Sequence, residues 1–327
     1  MALYLGSQKV SNTNYFIRPE GFIIKREVSS TGVYQMPTNN FTFSLPSNVI
    51  DMGSNAMRGV FQNCTGVTSV DLSSLTTLSG NSTLSYAFSG CTGLTSIDLS
   101  SLTTISGSSA VQSAFQNCTS LTSVDLSSLT TISGSSALSS VFSGCTSLTS
   151  VDLSSLATLS GSNAMYYAFQ NCTGLTSVDL SSLTTVSGGS SLSYAMFYAF
   201  YGCTSLTSVD LSSLATVSGG SAMYYAFYGC TSLTSVDLSS LTTISGGSAL
   251  SYAFSGCSRL TSLSFPALTS DSFGSYTNQF NDMLSGVTGC TVHFPSNLQS
   301  VIGSWSSVTA GFGGTNTTVL FDLPATT

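Results

Sequence analysis

Leu121-Thr122-Ser123-Val124-Asp125-Leu126 decides how this chain is read, because the sequence repeats it almost letter for letter. With Leu-x-x-Val-x-Leu segments as landmarks, the last apolar residue falls at Leu45, Leu72, Leu99, Leu126, Leu153, Leu180, Leu211, Leu238, Phe265, Phe294 and Leu323. The spacings are five of 27, one of 31, two of 27 and two of 29. A period of this length marks a solenoid, in which each repeat is one supersecondary unit that touches only its neighbours. About eleven coils are predicted.

Within a coil, Val124-Asp125-Leu126 alternates inward and outward as a strand does. Leu129 and Ile132 mark a second, weaker extended piece. Gly134-Ser135-Ser136 then breaks the chain and offers a hydroxyl as helix N-cap. Leu138, Val141, Phe142 and Cys145 follow at helical spacing and predict a short helix with one apolar stripe. Burying the apolar side chains of one coil contributes roughly 1.5 to 3 kcal/mol each, against about 1.5 kcal/mol of ordering entropy for every residue. A lone coil should not fold, whereas stacked coils can. The single spacing of 31 reads as one extra helical turn in the coil of Leu192 and Cys203, with the flanking strands still paired.

The order of strand, short second extended piece and closing Ala-Phe-x-x-Cys, as in Tyr86-Ala-Phe-Ser-Gly-Cys91 and Tyr252-Ala-Phe-Ser-Gly-Cys257, resembles the BspA-like leucine-rich repeats over residues 40 to 325. The resemblance implies an α/β solenoid with a parallel β-sheet on one face, short helices on the other and a cap at each end. It also implies adhesion and partner binding, in a family found on bacterial and protist surfaces and encoded by phages of gut bacteria. The chain is expected to divide into residues 1–38, an N-terminal cap or attachment segment; 39–265, the solenoid; and 266–327, atypical repeats and a C-terminal cap.

Composition fits one elongated domain. Only 6% of the residues are charged, so the polar surface must be made of Ser and Thr hydroxyls. No apolar run of 18 residues exists, which predicts no membrane insertion. The opening Met1 to Val10 lacks the basic start and apolar core of a secretory signal. It resembles the short leader of phage and prophage structural proteins, which implies a virion setting with other virion proteins, or further copies of this chain, as partners of the N-terminal segment. Short strands are expected at Leu3 to Leu5 and Lys9 to Val10 around Gly6-Ser7, and at Phe22 to Val28 turning at Ser29 to Gly32.

At the other end, Asp271 stands in the place of Ile244, Pro266, Pro295 and Pro324 follow the last strands, and Ser296 to Trp305 reads as a helix whose Trp305 belongs to the core. Of nine cysteines, the eight from Cys64 to Cys257 share one place on the buried stripe and should stay reduced. Cys290 is assigned an inward strand place equivalent to Val124. Zinc is disfavoured without a Cys-x-x-Cys and with a single histidine. That residue, His293, is expected on an exposed strand place in the C-terminal cap. A Ser-His-Asp set can be imagined in any chain this rich in Ser and Asp, and no catalytic or nucleotide-binding motif is present, so an enzyme is not expected and no cofactor is predicted.

Seven carboxylates, Asp71, Asp98, Asp125, Asp152, Asp179, Asp210 and Asp237, occupy the outward strand place of successive coils, with no Lys or Arg between Arg58 and Arg259. At a strand spacing of about 4.8 Å, neighbouring charges repel by about 0.9 kcal/mol in water. Turn bonds from the following Ser-Ser pair relieve this in one reading; weak divalent-cation sites or a basic partner relieve it in the others. Nucleic acid is disfavoured by an acidic, lysine-poor surface.

Tyrosines instead collect beside the Ala-Phe pair of the later coils: Tyr166, Tyr167, Tyr194, Tyr198, Tyr201, Tyr224, Tyr225 and Tyr228. They are expected to cluster on the convex, helical side, where they either cover the grooves between helices or bind a host surface glycan or protein. The functional expectation is a displayed binding or adhesion protein, with a virion or extracellular setting. A bacterial cell-surface adhesin and a self-assembling structural protein are the alternatives.

Overall fold

Parallel strands stacked one coil apart build the molecule, in a computed structural model that describes residues 40–325 except 46, 189–193 and 274–276. Before residue 40 it describes the backbone of four short strands. Eight strands, from Phe41–Ser44 to Ser235–Asp237, form the first sheet, and Ser262–Ser264, Thr291–Pro295 and Thr318–Leu323 form a further sheet of three. Together these are the eleven coils read from the landmarks. Ser123, Val124 and Asp125 pair with Ser150, Val151 and Asp152 on one side and with Ser96, Ile97 and Asp98 on the other. Such register keeps every Val inward and every Asp outward. A second sheet of seven very short strands, Thr77–Leu78 to Thr243–Ile244, runs beside the first. It ends where Asp271 replaces the inward Ile244, and the 3-10 turn Ser270–Phe273 takes its place.

The third face differs from the helices expected of it. Leu138, Val141, Phe142 and Cys145 are buried as their spacing requires, yet the segment is a succession of turns. Every fourth residue is left-handed, Ser136 at φ 53°, Ser140 at 54° and Gly144 at 77°, which no α-helix tolerates. The amides alternate in consequence. Leu138, Ser140, Phe142 and Gly144 donate to carbonyls of the next coil, at Ala164, Tyr166, Ala168 and Gln170, while Ser139, Val141 and Ser143 each close a turn on the residue three before. The turn face is therefore a third hydrogen-bonded ladder along the solenoid axis, with the helical stripe but without the helix.

The interior is filled by side chains in files. The rings of Phe88, Phe115, Phe142, Phe169, Phe200, Phe227 and Phe254 stack at 5.1–5.7 Å from coil to coil. Beside them the nine cysteines are buried, and none is in a disulfide. From Cys91 to Cys257 each thiol donates to a Phe carbonyl of the preceding coil, Cys145 to Phe115 at 3.1 Å for example. Burial pushes the thiols of Cys91, Cys145 and Cys257 up to about 12. Cys290 is buried too, but Leu263 pairs with Val292, so Val292 and not Cys290 holds the place equivalent to Val124.

A finer alternation runs along the left-handed place before each cysteine, which carries Asn63, Gly90, Asn117, Gly144, Asn171, Gly202, Gly229 and Gly256. A Cβ on Gly90 or Gly144 would collide with the Oδ1 of Asn63 or Asn117, and one on Gly202 would lie 2.6 Å from the Oδ1 of Asn171. On Gly229 it would meet nothing nearer than the Gly202 nitrogen at 3.9 Å. Each Asn side chain thus occupies the space that the next coil leaves open by having glycine.

The four-residue insertion leaves the strands undisturbed, since Ser177–Asp179 pairs in register with Ser208–Asp210. Among the described residues, from Tyr194 to Cys203, the extra turn of helix expected there is not found. Met165 and Tyr167 already bond Ala195 and Phe197 in step, so the added residues lie between Ser187 and Ala195, ahead of the turn face. Leu192 falls outside the described residues. In the last coil Val292 pairs with Val319 and the ring of Phe321 stacks on Phe294 at 5.7 Å. The inward landmark is therefore Phe321, and a bulge carries Pro295 opposite Leu323. The expected C-terminal helix is split into Ser296–Leu298, Gln299–Ile302 and Ser306–Thr309, and half-buried Trp305 packs edge-on to Phe273 at 5.1 Å.

Before the solenoid, Tyr4–Leu5 pairs antiparallel with Gln8–Lys9, as Gly6-Ser7 suggests. The strand beginning at Gly21 pairs backward with Tyr15–Arg18 across Pro19-Glu20. The forward turn expected at Ser29 to Gly32 lies outside the described residues, as does most of the 1–38 segment to which attachment was assigned.

Candidate functional site

Two surfaces have repetitive chemistry. On the first sheet the seven aspartates are exposed, and each folds back onto its own coil. Asp71 Oδ1 accepts the Ser73 amide at 3.0 Å and its hydroxyl at 2.6 Å. Asp98 accepts the same pair of bonds from Ser100. Asp125, Asp152, Asp179, Asp210 and Asp237 take the amide two residues on at 2.8–3.0 Å. These are Asx turns. The Ser73, Ser127 and Ser212 hydroxyls, and then their amides, hold the carboxyls of Asp71, Asp125 and Asp210 below the usual range. Hydrogen bonding to the ionised form therefore outweighs the burial that opposes it. Among the described residues no three Asp, Glu, His or Cys side chains converge to hold a metal ion. His293, partly exposed, lies 2.9 Å from the Asp322 carboxylate on the next strand.

The turn face carries the aromatic cluster. Tyr167, Tyr198, Tyr225 and Tyr252 occupy its left-handed place at φ 51–56°. For an L-residue this costs on the order of 1–2 kcal/mol, against which stand the inter-coil amide bonds and ring stacking. Their rings form one file, stacked at 5.1, 4.7 and 4.6 Å. Tyr166, Phe197 and Tyr224 form a second file at 5.1 and 5.7 Å, and Tyr201 and Tyr228 a third at 5.3 Å. Apart from the 23° between Tyr225 and Tyr252, ring planes within a file lie within 6° of parallel. Between files they are nearly perpendicular, 85° for Tyr166 and Tyr167, 87° for Tyr224 and Tyr225 and 82° for Tyr198 and Tyr201.

The result is a herringbone pavement. Each offset-stacked or edge-to-face pair contributes roughly 0.5–1.5 kcal/mol beyond burial. Every ring in it is half-buried. Burial first, then the neighbouring phenols, raises the hydroxyls of Tyr167, to about 12, and Tyr198. Tyr252 is pushed up to about 12 chiefly because its hydroxyl donates to Asp282. All eight predicted tyrosines therefore share one face, Tyr194 joining through an edge contact to Phe197 at 4.9 Å. Phe197 and Tyr252 hold the same places of the repeat as the predicted tyrosines, Phe197 31 residues after Tyr166 across the inserted coil; sequence reasoning missed only Asp282, which lies beyond the regular repeats.

The repeat architecture is that of a non-catalytic binding scaffold, and among the described residues no helix is long and apolar enough to cross a membrane. No curated protein matches the chain. Among solved structures, it is similar to a leucine-rich repeat protein of T. pallidum, at 27% identity over 67% of this chain and 86% of that one, TM-score 0.42. It is also similar to a leucine-rich repeat protein of Bacteroides ovatus, at 19% over 94% and 97%, TM-score 0.21. A leucine rich cell surface protein of Faecalibacterium prausnitzii matches at 18% over 98% and 94%, TM-score 0.24. None of these points to a virion. Six copies of the BspA type Leucine rich repeat region match, over residues 30–141, 60–194, 112–224 and 180–303. With the second strand recurring in step from Thr77 to Ile244 and the Phe-x-x-Cys turn face from Phe61 to Cys257, the chain belongs to the BspA-type leucine-rich repeat family.

Proposed function

We propose that this protein is an adhesin-like binding scaffold displayed on a bacterial surface, and that it engages a host glycan or protein through the tyrosine pavement. The surface setting is carried over from the F. prausnitzii protein, described as a leucine rich cell surface protein. The observation that favours the pavement over the aspartate file is the difference in unmet chemistry. Each carboxylate commits one oxygen to a turn of its own coil, whereas the half-buried phenols present ring edges and polar tips over several adjacent coils. Rigid amphipathic rings lose little side-chain entropy on binding. The file positions in earlier coils carry Ser139 and Ser140, so serine is accommodated by the fold there.

The test replaces Tyr166, Tyr198, Tyr201, Tyr224 and Tyr228 with Ser and measures attachment of protein-coated beads to host epithelial cells. Attachment is expected to fall at least tenfold with the circular dichroism spectrum unchanged. Undiminished attachment by the folded variant overturns the assignment.

A further inference from the structure

The aromatic files begin at a step. Tyr166 and Tyr167 are the first rings, and in the preceding coil their places are held by Ser139 and Ser140. One ring face of Tyr167 is stacked on Tyr198; the opposite side looks over the small Ser140. From the step, equivalent rings recur once per coil at 4.6–5.1 Å through Tyr252. The surface around them is uncharged: between Arg58 and Arg259 the only ionisable acids are the aspartates of the first sheet. The file closes on a carboxylate, Asp282, bonded to the Tyr252 hydroxyl.

A ligand lying lengthwise on this face meets the same hydroxyl and the same ring edge at each coil. The partner that profits from such translation is a linear polymer of like units; a globular protein surface without repeats has nothing to match it. An advance of about one coil spacing per unit is of the order of one sugar residue in an extended chain. Neutral hydroxyl-bearing units suit a face of phenols without cations, and an anionic polymer would meet only Asp282 as a charged neighbour. An apolar sugar face also suits the ring face at the step, since aromatic rings offer apolar area beside a polar tip.

Building on the adhesin reading above, we propose that the pavement binds a neutral, linear glycan lengthwise along the solenoid axis, one sugar per coil, with a terminal sugar stacked on Tyr167 over Ser140.

The experiment presents the full chain to an array of linear β-glucan, chito- and manno-oligosaccharides of two to eight residues together with anionic glycans, and follows the binders by calorimetry. Affinity is expected to rise with length up to about the four coils of the Tyr167 file and then level off. Tyr198→Ser is expected to weaken the longest oligosaccharides at least tenfold. Ser140→Tyr, which extends the file and covers the step, should weaken the shortest binders while the melting temperature is retained. Binding only to anionic glycans, binding to none, or affinity independent of length overturns the proposal. Attachment of beads to host cells after digestion of their glycans with glucanase, chitinase and mannanase separates the two readings. If it persists and still depends on the five tyrosines, the partner is a protein and only the glycan assignment fails; if it never depends on them, both fail.

Discussion

Gly144 and Gly229 hold the same left-handed place, at φ 77° and 72°, yet their neighbours differ. A methyl group on Gly144 runs into the Asn117 side chain, while one on Gly229 has no atom closer than 3.9 Å. The backbone penalty of about 1–2 kcal/mol for a non-glycine residue is common to Gly144→Ala and Gly229→Ala. The collision adds roughly 1–3 kcal/mol of overpacking to the first alone. Urea denaturation should therefore rank Gly144→Ala as clearly less stable. Adding Asn117→Gly should remove the difference; equal losses at both glycines would show that the Asn side chain simply swings aside.

At the scale of elements, the first sheet sets two opposed effects against each other. Repulsion along the aspartate file works against ionisation, and the Ser bonds to Asp71, Asp125 and Asp210 work for it. Carboxyls held below their ordinary value in the folded state contribute stability that is fully present above the unfolded value, about 3.9. That contribution is lost as pH falls from there through the depressed folded value. The melting temperature should accordingly be flat from pH 7 to 5 and decline below about pH 4. A rise on acidification would mean that relief of repulsion dominates. These strands were legible because Val124 and Asp125 alternate in and out, and because a 27-residue period fixes which strands are neighbours. The aspartate turns were legible for the same local reason, a Ser amide two residues on. The turn face was legible only in part: Leu138, Val141, Phe142 and Cys145 gave the right buried stripe, but helical spacing says which side faces inward, not which φ supports it. Tyr167 and Tyr198 in left-handed conformation contradict their own local preference, so amide bonds to the next coil decided what no single-coil reading could. The tyrosine cluster was foreseeable from composition, its herringbone order was not.

Over the whole molecule, stability is shared between nearest-neighbour coils, so coils should be removable in register. Deleting residues 123–149 joins Thr122 to Ser150 and removes one coil; deleting 96–149 removes two. Both shortened chains should fold with paired strands, but their junctions are unlike. The single deletion sets Asn171 after Asn117, whose Oδ1 fills the space that Gly144 leaves open, whereas the double one sets Asn171 after Gly90, repeating the native order in which Asn171 follows Gly144. Asn171→Gly should raise the melting temperature of the single deletion and not that of the double. No gain in the first would place the strain elsewhere. If the gain is found, the array has a parity: through Asn171 its inheritable unit is a 54-residue pair and unequal recombination by one coil yields a poorer protein, whereas from the coil of Gly202 onward, where the place is glycine each time, coils can be gained or lost singly. The aromatic pavement lies mostly on the second kind of ground, so the surface proposed to meet the host is the part of the molecule freest to lengthen or shorten by one coil at a time.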